Sequence, residues 1–374
     1  MKNKWVLLLL FLVPACAQQW KMALPGYQYR FPRDHFSHPG FQGEWWYYTG
    51  NLRAPNGRRF GFELTFFRFG IHLPEQAADR ITVTWRPDEV YLAHLALSDI
   101  DGHEFYHTER MNRAGPGLAG ASLDQLGCWN GNWRVRWTSL TAETQHLEAV
   151  SDRFTLTLNL RPAKPFVING RNGVSQKGPQ PGEASHYITF TRLLATGELR
   201  RHDSPFQLSG LAWMDHEYFT EAPHGSVTGW DWFAMQLNNN EELMIYRLRQ
   251  KSGQPDPYSS GTYVNAAGWA QFLEASQFSL SPGGEWRSPS SGARYPLEWK
   301  ISVPSLGLEL TEKTALTNQE LFTNGSTAPT YWEGAVTYSG MMRSQPVNGV
   351  GYLELTGYRK EVSLSGGISQ SSVH

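Results

Sequence analysis

The sequence predicts an all-β protein built from two consecutive lipocalin-like antiparallel barrels or sandwiches. Three observations carry that prediction. First, apolar residues fall at every second position in runs such as Phe60-Gly61-Phe62-Glu63-Leu64-Thr65-Phe66 and Phe154-Thr155-Leu156-Thr157-Leu158-Asn159-Leu160, the spacing of a half-buried strand. Second, turn signals separate these runs: Pro55-Asn56-Gly57, Asp101-Gly102, Ala195-Thr196-Gly197 and Asn238-Asn239-Asn240. Third, 374 residues with 36 glycines and 22 prolines suit many tight connections, and a chain of that length divides more naturally into two barrels than one.

The elements follow in order. Residues 1–19 read as a targeting segment: Lys2 and Lys4 form a positive start, and Trp5 to Val13 is an apolar run too short to span a bilayer. It ends in Val13-Pro14-Ala15-Cys16, the pattern of a bacterial lipoprotein signal in which Cys16 is lipidated; plain cleavage near Ala15 or Ala17 is the alternative. Lipidation would anchor the protein in the periplasm, and Ala17 after the cysteine points to the outer membrane. A first domain is expected over residues 20–195 and a second over 196–362, with the boundary after the strand-like run ending at Leu194. Glu89 to Leu97, Asp101-Gly102 and His103 to Thr108 read as a hairpin, with His94, His103 and His107 in surface or half-buried roles. Tyr187-Ile188-Thr189-Phe190-Thr191 is β-branched and aromatic, hence a strand. The proline-rich stretch Arg161 to Gly182 reads as an irregular insertion, and Lys251 to Tyr258 and Ser281 to Gly292 as surface excursions. Asp124 to Leu126 and Gln319 to Phe322 are the candidates for short helical turns, and residues 363–374 form a polar tail without expected structure.

Composition excludes several functions. A net charge of −1 leaves no electrostatic footprint for nucleic acid. With Cys16 in the signal, Cys128 has no disulfide partner and reads as a buried thiol beside Trp129 and Trp133. No Cys/His zinc spacing occurs; Asp34, His35 and His38 invite a metal reading, but Pro32 and Pro39 oppose the helix their spacing would need, so no metal is expected. There is no Gly-x-Ser-x-Gly elbow, no phosphate-cradling loop and no cofactor motif.

Fifteen tryptophans need a place to be buried, and three blocks set them beside acids: Glu44-Trp45-Trp46-Tyr47-Tyr48, Trp213-Met214-Asp215-His216-Glu217-Tyr218 and Tyr331-Trp332-Glu333-Gly334. Carboxylates avoid burial unless paired or functional. A carboxylic acid kept protonated in an apolar pocket can protonate an alkene carbon, aromatic faces stabilise the resulting cation, and a second polar group holds the attacking water. The candidates for this chemistry are Asp215, His216, Glu217 and Tyr218, with Asp231 between Trp230 and Trp232. On a strand, Trp213, Asp215 and Glu217 share one face, and Met214, His216 and Tyr218 the other. Trp213, Trp230, Trp232, Trp46, Tyr48 and Trp332 are the candidate ligand-binding aromatics. The competing reading makes these acids structural, closing indole networks or tying down Arg68, Arg192, Arg247 or Arg359; it is preferred for Glu44 and Glu333.

Phe31-Pro32-Arg33-Asp34-His35, His38-Pro39 and Glu44 to Leu52 resemble the opening signature of the AttH / carotenoid 1,2-hydratase (CrtC-type) family. The resemblance continues in Gly210 to Tyr218, Gly229 to Phe233, Tyr295 to Trp299, Tyr331 to Gly334 and Gly351 to Tyr358, so it covers the whole chain beyond the signal. It implies two lipocalin-like barrels. It also implies either an exported protein that binds a hydrophobic or amphiphilic molecule beside ABC-transporter components, or a hydratase or isomerase acting on a polyene or unsaturated lipid. A third reading is an interaction module with a filled core.

Overall fold

The computed structural model describes residues 19–73, 88–115, 117–201, 204–221, 225–323 and 330–361. The signal with Cys16 and the tail 363–374 lie outside them. Two antiparallel sheets form, each from a continuous stretch of chain. The first contains β1 (Gly43–Arg53), β2 (Arg59–Gly70), β3 (Glu89–Asp99), β4 (Glu104–Arg113), β5 (Ala119–Ser122), β6 (Gly127–Asn130), β7 (Trp133–Ser139), β8 (Thr144–Val150), β9 (Phe154–Pro162), β10 (Val167–Ile168), β11 (Ser175–Gln176), β12 (Ala184–Arg201) and β13 (Ser204–Phe219). Its order is β4-β3-β2-β1-β13-β12-β9-β8-β7-β6-β5, with β10 and β11 beside β12. The sheet curls into a nearly closed barrel. Asn130 on β6 bridges the gap between its ends, donating to the Tyr91 carbonyl and accepting from Asn112.

The second sheet contains β14 (Val227–Leu237), β15 (Glu242–Gln250), β16 (Ser260–Val264), β17 (Ala270–Glu274), β18 (Ser279–Arg287), β19 (Arg294–Val303), β20 (Leu308–Lys313), β21 (Glu320–Leu321), β22 (Tyr331–Met342) and β23 (Gln345–Thr356). Its order is β17-β16-β15-β14-β23-β22-β20-β19-β18, a half-barrel. The all-β expectation holds: helix among the described residues is limited to 3₁₀ turns at Arg33–His35, Ala275–Gln277 and Pro304–Leu306.

Several expectations need correction. The domain boundary does not fall at 195/196: β12 runs straight through it, and β13 returns beside β1, so the chain leaves the first sheet after Phe219. The turn signal at residues 195–197 falls mid-strand instead: Gly197 lets the Thr157 carbonyl approach where a Cβ would meet it at 2.0 Å. Gln319 to Phe322 is not helical. Its backbone pairs with β22 instead, and the Gln319 side chain donates to the Leu316 carbonyl. Asp124 to Leu126 is a plain turn. Most of Ser281 to Gly292 is strand β18. Arg161 to Gly182 is no loose insertion; Lys164, Asn169, Ser175 and Lys177 from it all touch residues at the contact between the sheets. The hairpin β3–β4 forms as expected, but His94 is 1% exposed rather than superficial.

Three large apolar clusters and two smaller ones result. One fills the first barrel, around Trp46, Tyr48, Trp133 and Met214; one lies inside the half-barrel, around Phe233, Trp299 and Trp332. The third lies between the sheets and joins Tyr47, Tyr187 and Trp213 to Trp232, Tyr246 and Tyr352. Polar clamps flank that contact. The bulge in β12 between Phe190 and Leu193 breaks the alternation there, and Arg192 reaches Glu242 and the Leu237 carbonyl of the second sheet. Lys164 donates to the same Glu242 carboxylate at 2.8 Å. At Gly61 a Cβ would meet Ala335 at 2.7 Å and the Tyr352 hydroxyl at 2.9 Å, so the sheets approach closely at that point.

Candidate functional site

The alternation of β13 divides the central block as its periodicity predicts. Met214 packs in the first barrel, while Trp213 joins the cluster between the sheets. Asp215, on the Trp213 face, is 3% exposed. It accepts hydrogen bonds from Tyr187 Oη at 2.7 Å, Thr189 Oγ1 at 2.6 Å and Trp213 Nε1 at 2.9 Å. Tyr187 in turn accepts from Trp232 Nε1 at 3.1 Å, which ties the second sheet to the acid. The Trp213 and Trp232 rings meet edge to face at 6.1 Å. Among the described residues Asp215 forms no ion pair. Burial pushes its carboxyl up to about 7, and the bonds from Thr189, Tyr187 and Trp213 return only part of that cost.

Glu217, two residues on, has a cation: Lys177 Nζ lies 3.5 Å from its carboxylate and over the Tyr246 ring at 4.5 Å. Burial raises the Glu217 carboxyl while Lys177 opposes the rise; burial pushes Lys177 down, but Glu217, Tyr246 and Asp215 together outweigh it and leave the ammonium raised. A protonatable acid thus sits beside a carboxylate–ammonium pair, at the indole N–H edge of Trp213. That set can deliver a proton to an apolar substrate, shelter positive charge and receive a proton from water.

The other candidates are elsewhere. His216 and Tyr218 face the opposite side of β13. His216 Nε2 bonds Glu44 at 2.8 Å, and burial pushes its imidazole down to about 4. Tyr218 stacks on His38 at 3.6 Å. Trp46 stacks on His216 and donates to the His35 carbonyl; Tyr48 donates to Gln145; both lie in the first barrel. Trp332 is in the half-barrel core, donating to the Thr317 carbonyl. Asp231 does not join Asp215. It pairs with Arg247 at 2.6 Å and with Arg249, and accepts from Tyr358 at 2.8 Å, so it is an ion-pair anchor rather than a free acid. Its neighbours Trp230 and Trp232 do face the first sheet, with Trp230 donating to Glu354.

The two outer acids separate as well. Glu44 accepts from the His38 backbone and side chain, Arg68 Nε and His216, four donors in all. Burial opposes its charge, but His38, Arg68 and His216 outweigh burial and hold it well below the usual carboxylate range. His38, Glu44 and His216 bring ligand-type atoms within 4.8 Å of one another. The Arg68 guanidinium on the same carboxylate already supplies a cation there, and both imidazole contacts have hydrogen-bond lengths. Glu333 has no such partners. It accepts only Tyr47 Oη, at 2.6 Å, with the other oxygen unpartnered, and burial raises its carboxyl far above the ordinary value. It closes no indole network, contrary to expectation.

Tyr187, Thr189 and Lys177 are the residues of this candidate site that the sequence did not point to. Tyr187 and Thr189 lie in a recognised strand, yet only the β12–β13 register puts them against Asp215 and Glu217. Lys177 lies in the stretch read as irregular.

Comparison with known proteins agrees with this architecture. The AttH-like family model matches residues 22–358. A crystal structure of an AttH protein from Nitrosomonas europaea superposes with a TM-score of 0.80 at 31% identity, covering 90% of this chain and 99% of that one. Kievitone hydratase from Nectria haematococca superposes with a TM-score of 0.66 at 17% identity, covering 85% and 90%, a likeness of fold. Dehydratase asqC of Emericella nidulans is 23% identical over 219 residues; the match takes in 57% of this chain and 61% of that protein's length. With its family model spanning nearly all of the described chain, this protein belongs to the AttH-like family.

Proposed function

We propose that this protein is a hydro-lyase that adds water to, or removes it from, an unsaturated apolar molecule held between the two sheets. One observation carries the reading: among the described residues Asp215 is a buried carboxyl without an ion-pair partner, poised near neutral pH against Trp213 and Trp232. In the hydration direction the Asp215 proton passes to one alkene carbon and the π electrons form the new C–H bond. The tryptophan faces stabilise the adjacent carbocation by about 2 kcal/mol when dry. Water bonds to the cationic carbon and its proton goes to Glu217, whose carboxylate Lys177 holds. Exchange with solvent returns Asp215 to its acid form. A hydratase among the structural neighbours and a dehydratase among the relatives lend support.

The wider setting belongs to the same proposal. Lys2, Lys4, the apolar run and Cys16 support export to the periplasm and an outer-membrane lipid anchor. A role in binding an amphiphile for an ABC export system would use the same aromatic face without turnover. Incubation with unsaturated lipids in heavy water separates the two. The hydro-lyase reading expects deuterium at a former alkene carbon, lost in Asp215→Asn. Tight binding without deuterium incorporation in the wild type leaves only the carrier.

A further inference from the structure

The facing sheets carry a second polar group that the proton chemistry does not use. In the first sheet, pairing sets Trp213, Thr49, Glu63 and Ala96 side by side across β13, β1, β2 and β3, and Asp215, Tyr47, Thr65 and His94 in the next row. In the second, Glu333 pairs with Glu354 across β22 and β23. Tyr47 Oη to Glu333 joins the two rows, and His94 Nδ1 to Tyr331 Oη at 2.6 Å joins them again. Glu63, Glu333 and Glu354 therefore gather beside Tyr47, with Glu354 also within electrostatic reach of Asp215 and Glu217, and each of these carboxyls is raised by burial, Glu63 to about 8 and Glu354 to about 7.

Two features distinguish this cluster from a solvated acidic patch. No lysine or arginine forms an ion pair with any of the three among the described residues; their partners are Thr65, Tyr47, Thr356 and Trp230. Independently, non-acidic atoms in the same rows are stranded: Thr49 Oγ1 and His94 Nε2 are buried with no hydrogen-bond partner, each residue 1% exposed, as are one oxygen of Glu63 and one of Glu333. Buried polar atoms without partners are rare and call for a guest that supplies them. A single metal ion does not suit the three acids, since their oxygens do not converge as His38, Glu44 and His216 do.

We infer that the Glu63–Glu333 group receives the distal polar end of the substrate, and that this end is an uncharged hydroxyl or carbonyl rather than a carboxylate or phosphate. The inference rests on the hydro-lyase reading for the other end of the molecule. Protonated glutamic acids and the Thr49 hydroxyl donate to a neutral oxygen, whereas an anion brought among three uncompensated acids loses its hydration with no cation in return. Strands about 4.8 Å apart put the β13 and β2 columns about 10 Å from each other. The substrate is thus an elongated neutral molecule with an alkene at Asp215 and an oxygen function about that far away.

The test uses cis-parinaric acid and the alcohol made by reducing it, equal in chain and different in end group, both read by polyene fluorescence on binding to the full protein. The alcohol is expected to bind at least about tenfold more tightly at pH 7. Glu63→Gln with Glu333→Gln, neutral donors of the same shape, should keep alcohol affinity within a few-fold and remove the further loss of acid affinity that the wild type shows as pH rises through about 8, where Glu63 ionises. Acid binding equal to or tighter than alcohol binding at pH 7, or a pH dependence unchanged in the double variant, overturns the inference and leaves the hydro-lyase reading standing. Failure of both probes, across a series of chain lengths, overturns both.

Discussion

Glu44 and Asp215 lie on neighbouring paired strands, and both are buried from water. Glu44 faces the barrel interior, where Arg68, His38 and His216 surround it; Asp215 faces the second sheet, where hydroxyls and an indole are all it meets. The same burial penalty therefore ends in opposite states, one carboxyl held far down and one pushed up to about 7. A buried acid given a cation fixes structure. One given only neutral donors keeps its proton and can spend it. The single-residue step from His216 to Asp215 crosses from one regime to the other.

The contrast can be broken most directly at Asp215. Asp215→Asn removes the proton donor but keeps the hydrogen-bonding shape, so turnover should fall about 10²–10⁴-fold with an unchanged thermal midpoint. A melt that collapses instead would class Asp215 with Glu44. Arg68→Met is the mirror experiment. It leaves Glu44 short of its cation, and urea unfolding should lose about 3–5 kcal/mol, with turnover per folded molecule preserved. Asp231→Asn should behave like Arg68→Met on a smaller scale, about 2–3 kcal/mol, because Arg247 and Arg249 keep partial access to water. Activity lost without stability would restore Asp231 as an acid.

The pH dependence sharpens the comparison further. Asp215 and Glu354 near 7 and Glu63 near 8 bind more protons folded than unfolded, where carboxyls titrate near 4. Their contribution to stability is complete below about pH 4 and is lost as pH rises through 7 to 8. Glu44 has the opposite sign, stabilising above its ordinary value and losing that contribution as pH falls. Chemical unfolding across this range should show stability declining from weakly acidic to alkaline pH, and turnover by Asp215 declining above about 7. The smallest effect is expected of Lys164→Met, about 1–2 kcal/mol, since Arg192 still holds Glu242.

Much of the fold was legible because period-two alternation is a local signal. The runs at residues 60–66 and 154–160 became β2 and β9, and the split of Trp213, Asp215 and Glu217 from His216 and Tyr218 followed from pleating alone. What alternation cannot reveal is which strand neighbours which. The return of β13 beside β1 moved the domain boundary past Phe219, and the β12–β13 register supplied Tyr187 and Thr189 to Asp215. The acids that the strand-borne arginines hold are settled only in space. Arg68, Arg192 and Arg247 do hold acids, but which acids depends on strand pairing.

The contact of Trp232 with Tyr187 across the two sheets also bears on how the molecule matures. Each sheet is formed by a continuous stretch of chain and can organise without the other. The Asp215 carboxyl, however, loses its water only when the second sheet closes over it. Before that event it already has the Tyr187, Thr189 and Trp213 donors of its own sheet, but lies on the face that the second sheet has yet to cover. On the hydro-lyase proposal, competence then arrives last, set by the docking of two preformed halves, and refolding followed by backbone signals should be complete before activity begins to return.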